Sequence, residues 1–262
     1  MAAAPELMTM QAEAAAPQVR AEDASTASLE SDREDLANEL VKEECPAEKP
    51  KGFHFNCDFE ELPDGTMIWN ASRVLLQYLQ APERASKLRG RRVLELGSGL
   101  GHLGHGLALL GAHVTCTEQL KCLPELEASL KNLDRHEGSP AAAGGSATAL
   151  ELSWGEEGLA ASPGMMAATA GGVVPFDFII SAEIVYLEET HDLLLWTWEH
   201  FCTPQTVIYS VFINRPFSWN FFVKLHDLGV FEVEQIEDFD PCGLDPEETH
   251  MHRVTRKPAA AA

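Results

Sequence analysis

The spacing of apolar residues changes repeatedly along this chain between the period of a strand and that of a helix. Short apolar runs, typical of buried strands, lie at residues 93–96, 112–117, 148–154, 176–181 and 205–212. Segments with helical spacing lie beside them, at residues 67–80, 102–110, 120–133, 188–201 and 217–228. Because strands and helices alternate, the pattern predicts a three-layer α/β fold with right-handed crossovers.

The remaining segments predict how this fold is completed. Residues 231–236 and 249–256 alternate apolar and polar positions with no helical pattern between them, which predicts an antiparallel terminal hairpin. Looser alternation at 53–59 predicts an edge strand. Residues 137–147 and 156–174 are rich in small residues and predict two flexible insertions.

Residues 1–50 differ in composition from the rest of the chain. They contain 12 acidic and 4 basic residues and few large apolar ones, a net charge of −8. Such a segment cannot bury enough apolar surface to become ordered, so we expect a disordered acidic tail before a domain at 51–262. A partner-binding role for this tail is the alternative to a merely solvated one.

Charge and composition narrow the class of protein. The 262 residues include 41 acidic and 19 basic ones, a net charge of −22, which argues against a nucleic-acid partner. Acidity favours a basic or lysine-presenting partner, although it also serves solubility. No apolar run approaches the ~18 residues of a membrane span, and no secretory signal is recognisable. The six cysteines form no C-x-x-C pair, so we expect reduced thiols and a cytoplasmic location, with the nucleus as a second compartment.

The most informative stretch, residues 91–118, follows the order strand, glycine turn, helix, strand, acid. The glycine turn contains Gly97, Ser98 and Gly99, and glycines let a backbone bend sharply and a ligand approach closely. Glu118 ends the second strand about 20 residues later, the spacing at which an acid accepts hydrogen bonds from ribose hydroxyls in nucleotide-binding folds. A structural turn without a ligand is the alternative.

With Glu95 two residues before Gly97, the turn has the pattern E-x-G-x-G, and His102 stands where a dinucleotide site needs glycine. This pattern resembles motif I of the S-adenosylmethionine-dependent methyltransferases of the seven-strand fold. The segments LRGR at 88–91, LSWG at 152–155, AEIVYLEET at 182–190 and EHFC at 199–202 extend the likeness. Over about residues 53–257 the chain resembles the small protein-lysine methyltransferases, above all those that modify Hsp70-type chaperones.

This resemblance implies a Rossmann-like, mostly parallel seven-stranded sheet and S-adenosylmethionine as cofactor. The implied cofactor-binding positions are Trp69, Glu95, Gly97, Ser98, Gly99, Glu118, Trp154 and Ala182. Trp69 would close over the methionine end, the glycine turn would line the amino-acid moiety, and Glu118 would bind the ribose. Trp154 would lie beside the adenine, and the small Ala182 would sit under the cofactor.

The family's D-x-x-Y motif corresponds to Glu183 and Tyr186, with glutamate in place of the commoner aspartate. The resemblance implies that this pair holds the acceptor lysine amine and aims it at the methyl group. The alternative is a structural hydrogen bond that shapes the loop. We expect no metal, because His102 and His105 lack two further ligands.

The resemblance implies a lysine-presenting protein as substrate, such as a chaperone or a translation factor, and nothing demands more than a monomer. Two other functions stay open: methylation of a small molecule or RNA, and a non-catalytic cofactor-binding chaperone partner.

Overall fold

The computed structural model describes residues 59–61, 67–169 and 176–258. These residues all belong to one compact unit, residues 57–262. The predicted acidic tail at 1–50 lies outside the described residues, as does most of the predicted edge strand at 53–59. No described helix is long and apolar enough to cross a membrane.

Among the described residues, seven strands form one sheet and two short strands pair separately. The separate antiparallel pair is β1 (Phe59–Glu61) and β2 (Met67–Trp69). The strands of the large sheet are β3 (Arg92–Leu96), β4 (His113–Glu118), β5 (Ser146–Glu151), β6 (Phe178–Ala182), β7 (Val207–Ile213), β8 (Phe231–Ile236) and β9 (Thr249–Arg256). Their spatial order is β5-β4-β3-β6-β7-β9-β8. Strands β3 to β7 pair in parallel, and β9 runs antiparallel to both of its neighbours. The predicted α/β fold and its terminal antiparallel hairpin are confirmed.

Helices cover both faces of the large sheet. They are α1 (Asn70–Leu79), α2 (Pro82–Leu88), α3 (His102–Leu109), α4 (Leu123–His136), α5 (Glu156–Ala160), α6 (Pro163–Thr169), α7 (His191–Phe201) and α8 (Ser218–Leu228). On one face, Leu75 of α1 and Leu107 of α3 are buried in the same cluster as Val93. On the other face, Trp198 of α7 and Phe221 of α8 are buried with the neighbouring strand residues. The parallel strands are therefore apolar on both sides, as covered parallel sheets are.

The order of the strands determines where a ligand can bind. From β3 the chain passes outward through β4 and β5, and then returns to β6 on the other side of β3. Such a reversal opens a crevice at the carboxyl ends of the two central strands. The glycine turn follows β3 and Glu183 follows β6, so both lie at this crevice, as their positions in the sequence predict.

Three local predictions are corrected by the structure. The helix predicted at 67–80 begins only at Asn70, because residues 67–69 are extended and pair with β1. The predicted insertion at 137–147 contains a 3-10 helix, Pro140–Ala143, whose proline is buried. The described part of the insertion at 156–174 forms α5 and α6, because Leu159 and Met165 are buried in the core. Where the structure describes them, at 137–147 and 156–169, the two segments contain helical structure rather than a loose loop.

Candidate active site

Three loops converge at the first glycine of the turn. Gly97, Gly99 and Gly101 have φ angles of 66°, 53° and 77°, in the left-handed region that favours glycine. A Cβ atom added at Gly97 would lie 2.8 Å from Cγ2 of Ile184 and 3.7 Å from Cζ2 of Trp154. The backbone after β3 therefore contacts the loops that follow β6 and β5. A Cβ atom at Gly99 would meet nothing within 4 Å, so the turn faces open space at that residue.

Glu118 is held against the glycine turn by two backbone groups. Its Oε1 accepts a hydrogen bond from the Gly99 N–H at 3.0 Å, and its Oε2 accepts one from the Gln119 N–H at 2.9 Å. Each oxygen retains a lone pair for a further donor. Ser98 links the turn to the same strand end, because its N–H donates to the Thr117 carbonyl and its Oγ accepts from the Thr117 N–H, both at 2.9 Å. The strand end presents a fixed carboxylate beside the open Gly99.

The structure buries the Glu95 side chain behind the glycine turn. Its side chain is 3% exposed and lies under α3, where a Cβ on Gly104 would strike both its Oε2 and the Cys116 sulfur. Alternate residues of a strand point to the same face, so Glu95 shares with Val93 the face that α1 and α3 cover. Direct contact with a cofactor, which the motif predicts for Glu95, does not fit this position. Burial raises the pKa of the carboxyl to about 7, although hydrogen bonds with Ser98 and Cys116 pull it down.

We expect a Glu95→Gln variant to change how stability depends on pH. Because the folded pKa of about 7 exceeds the ordinary 4.5, the folded state holds this proton more tightly than the unfolded chain does. The tightly held proton stabilises the folded state fully below pH 4.5, and this stabilisation is lost as the pH rises to about 7. The loss lowers the free energy of unfolding by roughly 3 kcal/mol. Urea denaturation at pH 5 and pH 8 should show that the free energy of unfolding of the variant, relative to that of the wild type, is higher at pH 8 than at pH 5. Parallel behaviour of the two proteins would contradict this account of Glu95.

Trp154 and Ala182 border the crevice on either side of the glycine turn. Trp154 lies three residues beyond β5, half-buried against the core, with its ring edge toward Gly97. Ala182 is the last residue of β6 and is half-buried at the strand end beside Val211 of β7. Both positions agree with the sequence-based expectation of cofactor contact, which stays a prediction.

The Glu183 carboxylate is committed to protein partners. The residue is 7% exposed and has a left-handed φ of 60°, which is unusual for a residue other than glycine. Its Oε1 accepts a hydrogen bond from the Ile213 N–H, and its Oε2 pairs with the Arg215 guanidinium. Burial raises the pKa of the carboxyl, and the Arg215 charge offsets part of that rise. These partners favour the alternative, a carboxylate that shapes the loops after β6 and β7, and the role of holding the lysine amine stays a prediction.

Arg215, for which the sequence gives only a weak indication of substrate contact, belongs to the candidate site. Its guanidinium carbon lies 5.4 Å from the centre of the Trp69 ring and 5.5 Å from that of Tyr186, within cation–π range of both. The Trp69 and Tyr186 side chains are 38% and 46% exposed. Through Arg215 the structure brings Trp69, Glu183 and Tyr186 together at one place. The only signal in the sequence is the Asn-Arg-Pro segment after the fifth predicted strand, which is slight.

One cavity among the described residues does not coincide with this crevice. It measures about 440 Å³ and lies between α1, α3 and α4, with Arg73, His102 and Asn132 among its lining residues. None of the predicted cofactor or catalytic residues lines it. We locate the candidate site at the carboxyl edge of the sheet because the converging loops and the fixed Glu118 carboxylate lie there.

Comparison with known proteins agrees with this geometry. The sequence pattern of a lysine methyltransferase family matches residues 51–227, which include every candidate site residue named above. The chain belongs to the lysine methyltransferase family. The family predicted from the motifs is therefore confirmed.

The chain resembles several protein-lysine methyltransferases over part of their length. It is 38% identical over 151 residues to protein N-lysine methyltransferase METTL21A of Danio rerio, covering 58% of this chain and 62% of the relative. It is 32% identical over 200 residues to protein-lysine methyltransferase METTL21E of Bos taurus, covering 74% and 64%. It is 31% identical over 142 residues to EEF1A lysine methyltransferase 3 of Xenopus tropicalis, covering 54% of each chain. The chain thus spans less than two thirds of the length of these relatives.

Proposed function

We propose that this member of the lysine methyltransferase family transfers a methyl group from S-adenosylmethionine to the side-chain amine of a lysine on another protein. The observation that carries the proposal is the convergence at Gly97, where the loops after β3, β5 and β6 meet beside the fixed Glu118 carboxylate. Family membership supports the same reaction.

The crevice fits S-adenosylmethionine in shape and donor chemistry. Gly99 leaves open space for a ligand against the backbone, and the remaining lone pairs of Glu118 can accept two ribose hydroxyls. Trp154 offers an aromatic surface for a flat base. When bound, the cofactor supplies a methyl group on a sulfonium, so the leaving group is already activated and positioning provides much of the acceleration.

The residues around Arg215 serve the acceptor lysine. An ordinary lysine amine has a pKa of about 10.4 and must lose a proton before it can attack. The Trp69 and Tyr186 rings form apolar walls that displace water, and loss of water lowers the pKa of an amine. The Arg215 charge is already paired with Glu183, so the pair holds the two rings in place without adding a net charge. The Tyr186 hydroxyl accepts a hydrogen bond from the amine.

We expect Tyr186→Phe to lower turnover by about a hundredfold, because it removes one hydrogen bond from the positioned amine. The ring remains, so affinity for S-adenosylmethionine and the melting temperature should match the wild type. Tyr209→Phe is the matched control, since its ring packs on Phe178 at the opposite end of β6 from Ala182. Initial rates measured for the three proteins check the expectation, and a full rate for Tyr186→Phe would remove the hydroxyl from the mechanism.

A protein substrate is favoured over RNA by the net charge of −22, which repels phosphate. We propose a cytosolic substrate, an Hsp70-type chaperone or a translation factor. The name of one relative, EEF1A lysine methyltransferase 3, is in line with the second choice. We propose that the protein acts as a monomer in the cytoplasm, with the nucleus as a second compartment.

The rival functions differ in where a transferred methyl group is found. A cell lysate is incubated with the protein and S-adenosylmethionine labelled on its methyl group, and the products are treated with protease or with RNase. Label that only protease releases supports the proposal. Label released by RNase, or found only in small molecules, points to those substrates, and the absence of label points to a non-catalytic partner.

A further inference from the structure

A second, smaller cavity lies at the same edge of the sheet as the candidate active site. It measures about 280 Å³ and is formed by the end of β8, the start of β9 and the loop between them. Its lining includes four apolar residues and two glutamates, Ile236, Phe239, Pro241, Pro246, Glu237 and Glu247. A cleft lined by both apolar residues and carboxylates suits a side chain that has an aliphatic stem and a cationic end.

The loop that forms this cavity is acidic and firmly held. Residues 237–248 contain six acidic residues and no lysine or arginine. The Asp245 carbonyl accepts hydrogen bonds from the N–H and the Oγ1 of Thr249, and Leu244 is 4% exposed within the core. The Cys242 N–H donates to the Asp240 carboxylate at 2.8 Å. Because these contacts order the loop in advance, the cavity can select a ligand without first being organised by it.

One histidine completes the wall of the cavity. His250 lines it, and the ring of Trp219 lies 4.7 Å from the His250 ring, centre to centre. Burial lowers the pKa of His250, although Glu248 raises it in part. The imidazole is therefore neutral near pH 7 and does not oppose a cation held by Glu237 and Glu247.

The cavity lies a short distance from the residues that serve the acceptor lysine. The Asn214 N–H, next to Arg215, donates to the Glu248 carbonyl at 2.7 Å, which joins the end of β7 to the acidic loop. Neighbouring strands lie about 4.8 Å apart, so the ends of β9 and β8 are roughly 10–14 Å from the end of β6. An extended peptide advances about 3.3 Å per residue and covers this distance in about three or four residues.

We propose that the cavity between β8 and β9 binds a lysine or arginine side chain of the substrate protein, three or four residues from the lysine that is methylated. The proposal rests on the proposed function and names a recognition element for it. The cationic end of that side chain would bind near Glu237 and Glu247, and its aliphatic stem would pack on the apolar lining residues.

The test uses a double variant that keeps shape and removes charge, Glu237→Gln with Glu247→Gln. The matched control, Glu127→Gln with Glu232→Gln, makes the same change in net charge at exposed residues of α4 and β8 outside the cavity. Proteins that the wild type labels in a lysate serve as substrates, and the methylated lysines are mapped by mass spectrometry. Initial rates then give KM and kcat for each variant on the most strongly labelled protein.

We expect the cavity variant to raise KM roughly tenfold, because it removes two exposed ion pairs with the substrate. Its kcat and its affinity for the cofactor should be unchanged. The control should match the wild type, and a basic residue should stand three or four positions from each mapped lysine. An unchanged KM for the cavity variant, or mapped lysines without such a neighbour, would overturn the cavity's role and leave the methyltransferase proposal standing. If the wild type labels no protein, the proposed function fails and this inference fails with it.

Discussion

Gly99→Arg should abolish binding of S-adenosylmethionine while the protein stays folded. A side chain at this position meets no protein atom near its Cβ and extends into the space assigned to the cofactor. The left-handed φ of 53° adds a strain of about 1–2 kcal/mol, which most domains tolerate. Calorimetry should show one binding site on the wild type and none on the variant.

Gly90→Arg is the matched control for this experiment. Gly90 also has a left-handed φ, 69°, and open space where a Cβ would lie, but it precedes β3 at the other end of the strand. The control should therefore share the backbone strain and retain the affinity. Binding by Gly99→Arg as tight as that of the wild type would show that the glycine turn does not line the cofactor site.

Glu183→Ala should lower the free energy of unfolding by about 3–5 kcal/mol, the usual effect of removing one partner from a buried ion pair. The Glu183 and Arg215 side chains are only 5% and 11% exposed, so the variant leaves a buried guanidinium without its carboxylate. The Ile213 N–H loses its acceptor as well. Urea denaturation at pH 7 measures the difference.

Two further variants test whether Glu183 stabilises the loops or takes part in catalysis. Asp192→Ala breaks the ion pair between Asp192 and Lys224, in which the Asp192 side chain is 80% exposed. This change should lower the free energy of unfolding by less than about 1 kcal/mol. Arg215→Ala combined with Glu183→Ala should cost less than the sum of the single changes, because neither charge is then left alone. A Glu183→Ala protein that is as stable as the wild type but has no turnover would show that the Glu183 carboxylate acts on the substrate amine and does not brace the loops.

The sequence was sufficient for the centre of the fold and for the crevice. The run at 93–96, the glycine turn and the acid at Glu118 are local features, and their order alone predicts where the turn and the carboxylate meet. The structure adds the hydrogen bond from Gly99 to Glu118 at 3.0 Å. It also shows that β3 and β6 are neighbours in the sheet.

The orientation of Glu95 and the partner of Glu183 could not be predicted from the sequence. Strand β3 is covered on both faces, so its apolar run gives no indication of which side Glu95 occupies. The pair of Glu183 and Arg215 joins residues 32 positions apart, and it forms only because β6 and β7 lie side by side. The helices at 156–169 were not predicted because abundant alanine and glycine obscured the few apolar residues that anchor this segment, such as Leu159 and Met165.

The central claim is that this protein methylates lysine on another protein. The most direct measurement hydrolyses the labelled proteins from a lysate to amino acids after incubation with labelled S-adenosylmethionine, with Gly99→Arg as the inactive comparison. The account predicts label recovered as methyllysine with the wild type and none with the variant. Label recovered on a different amino acid, or equal labelling by the two proteins, would contradict it.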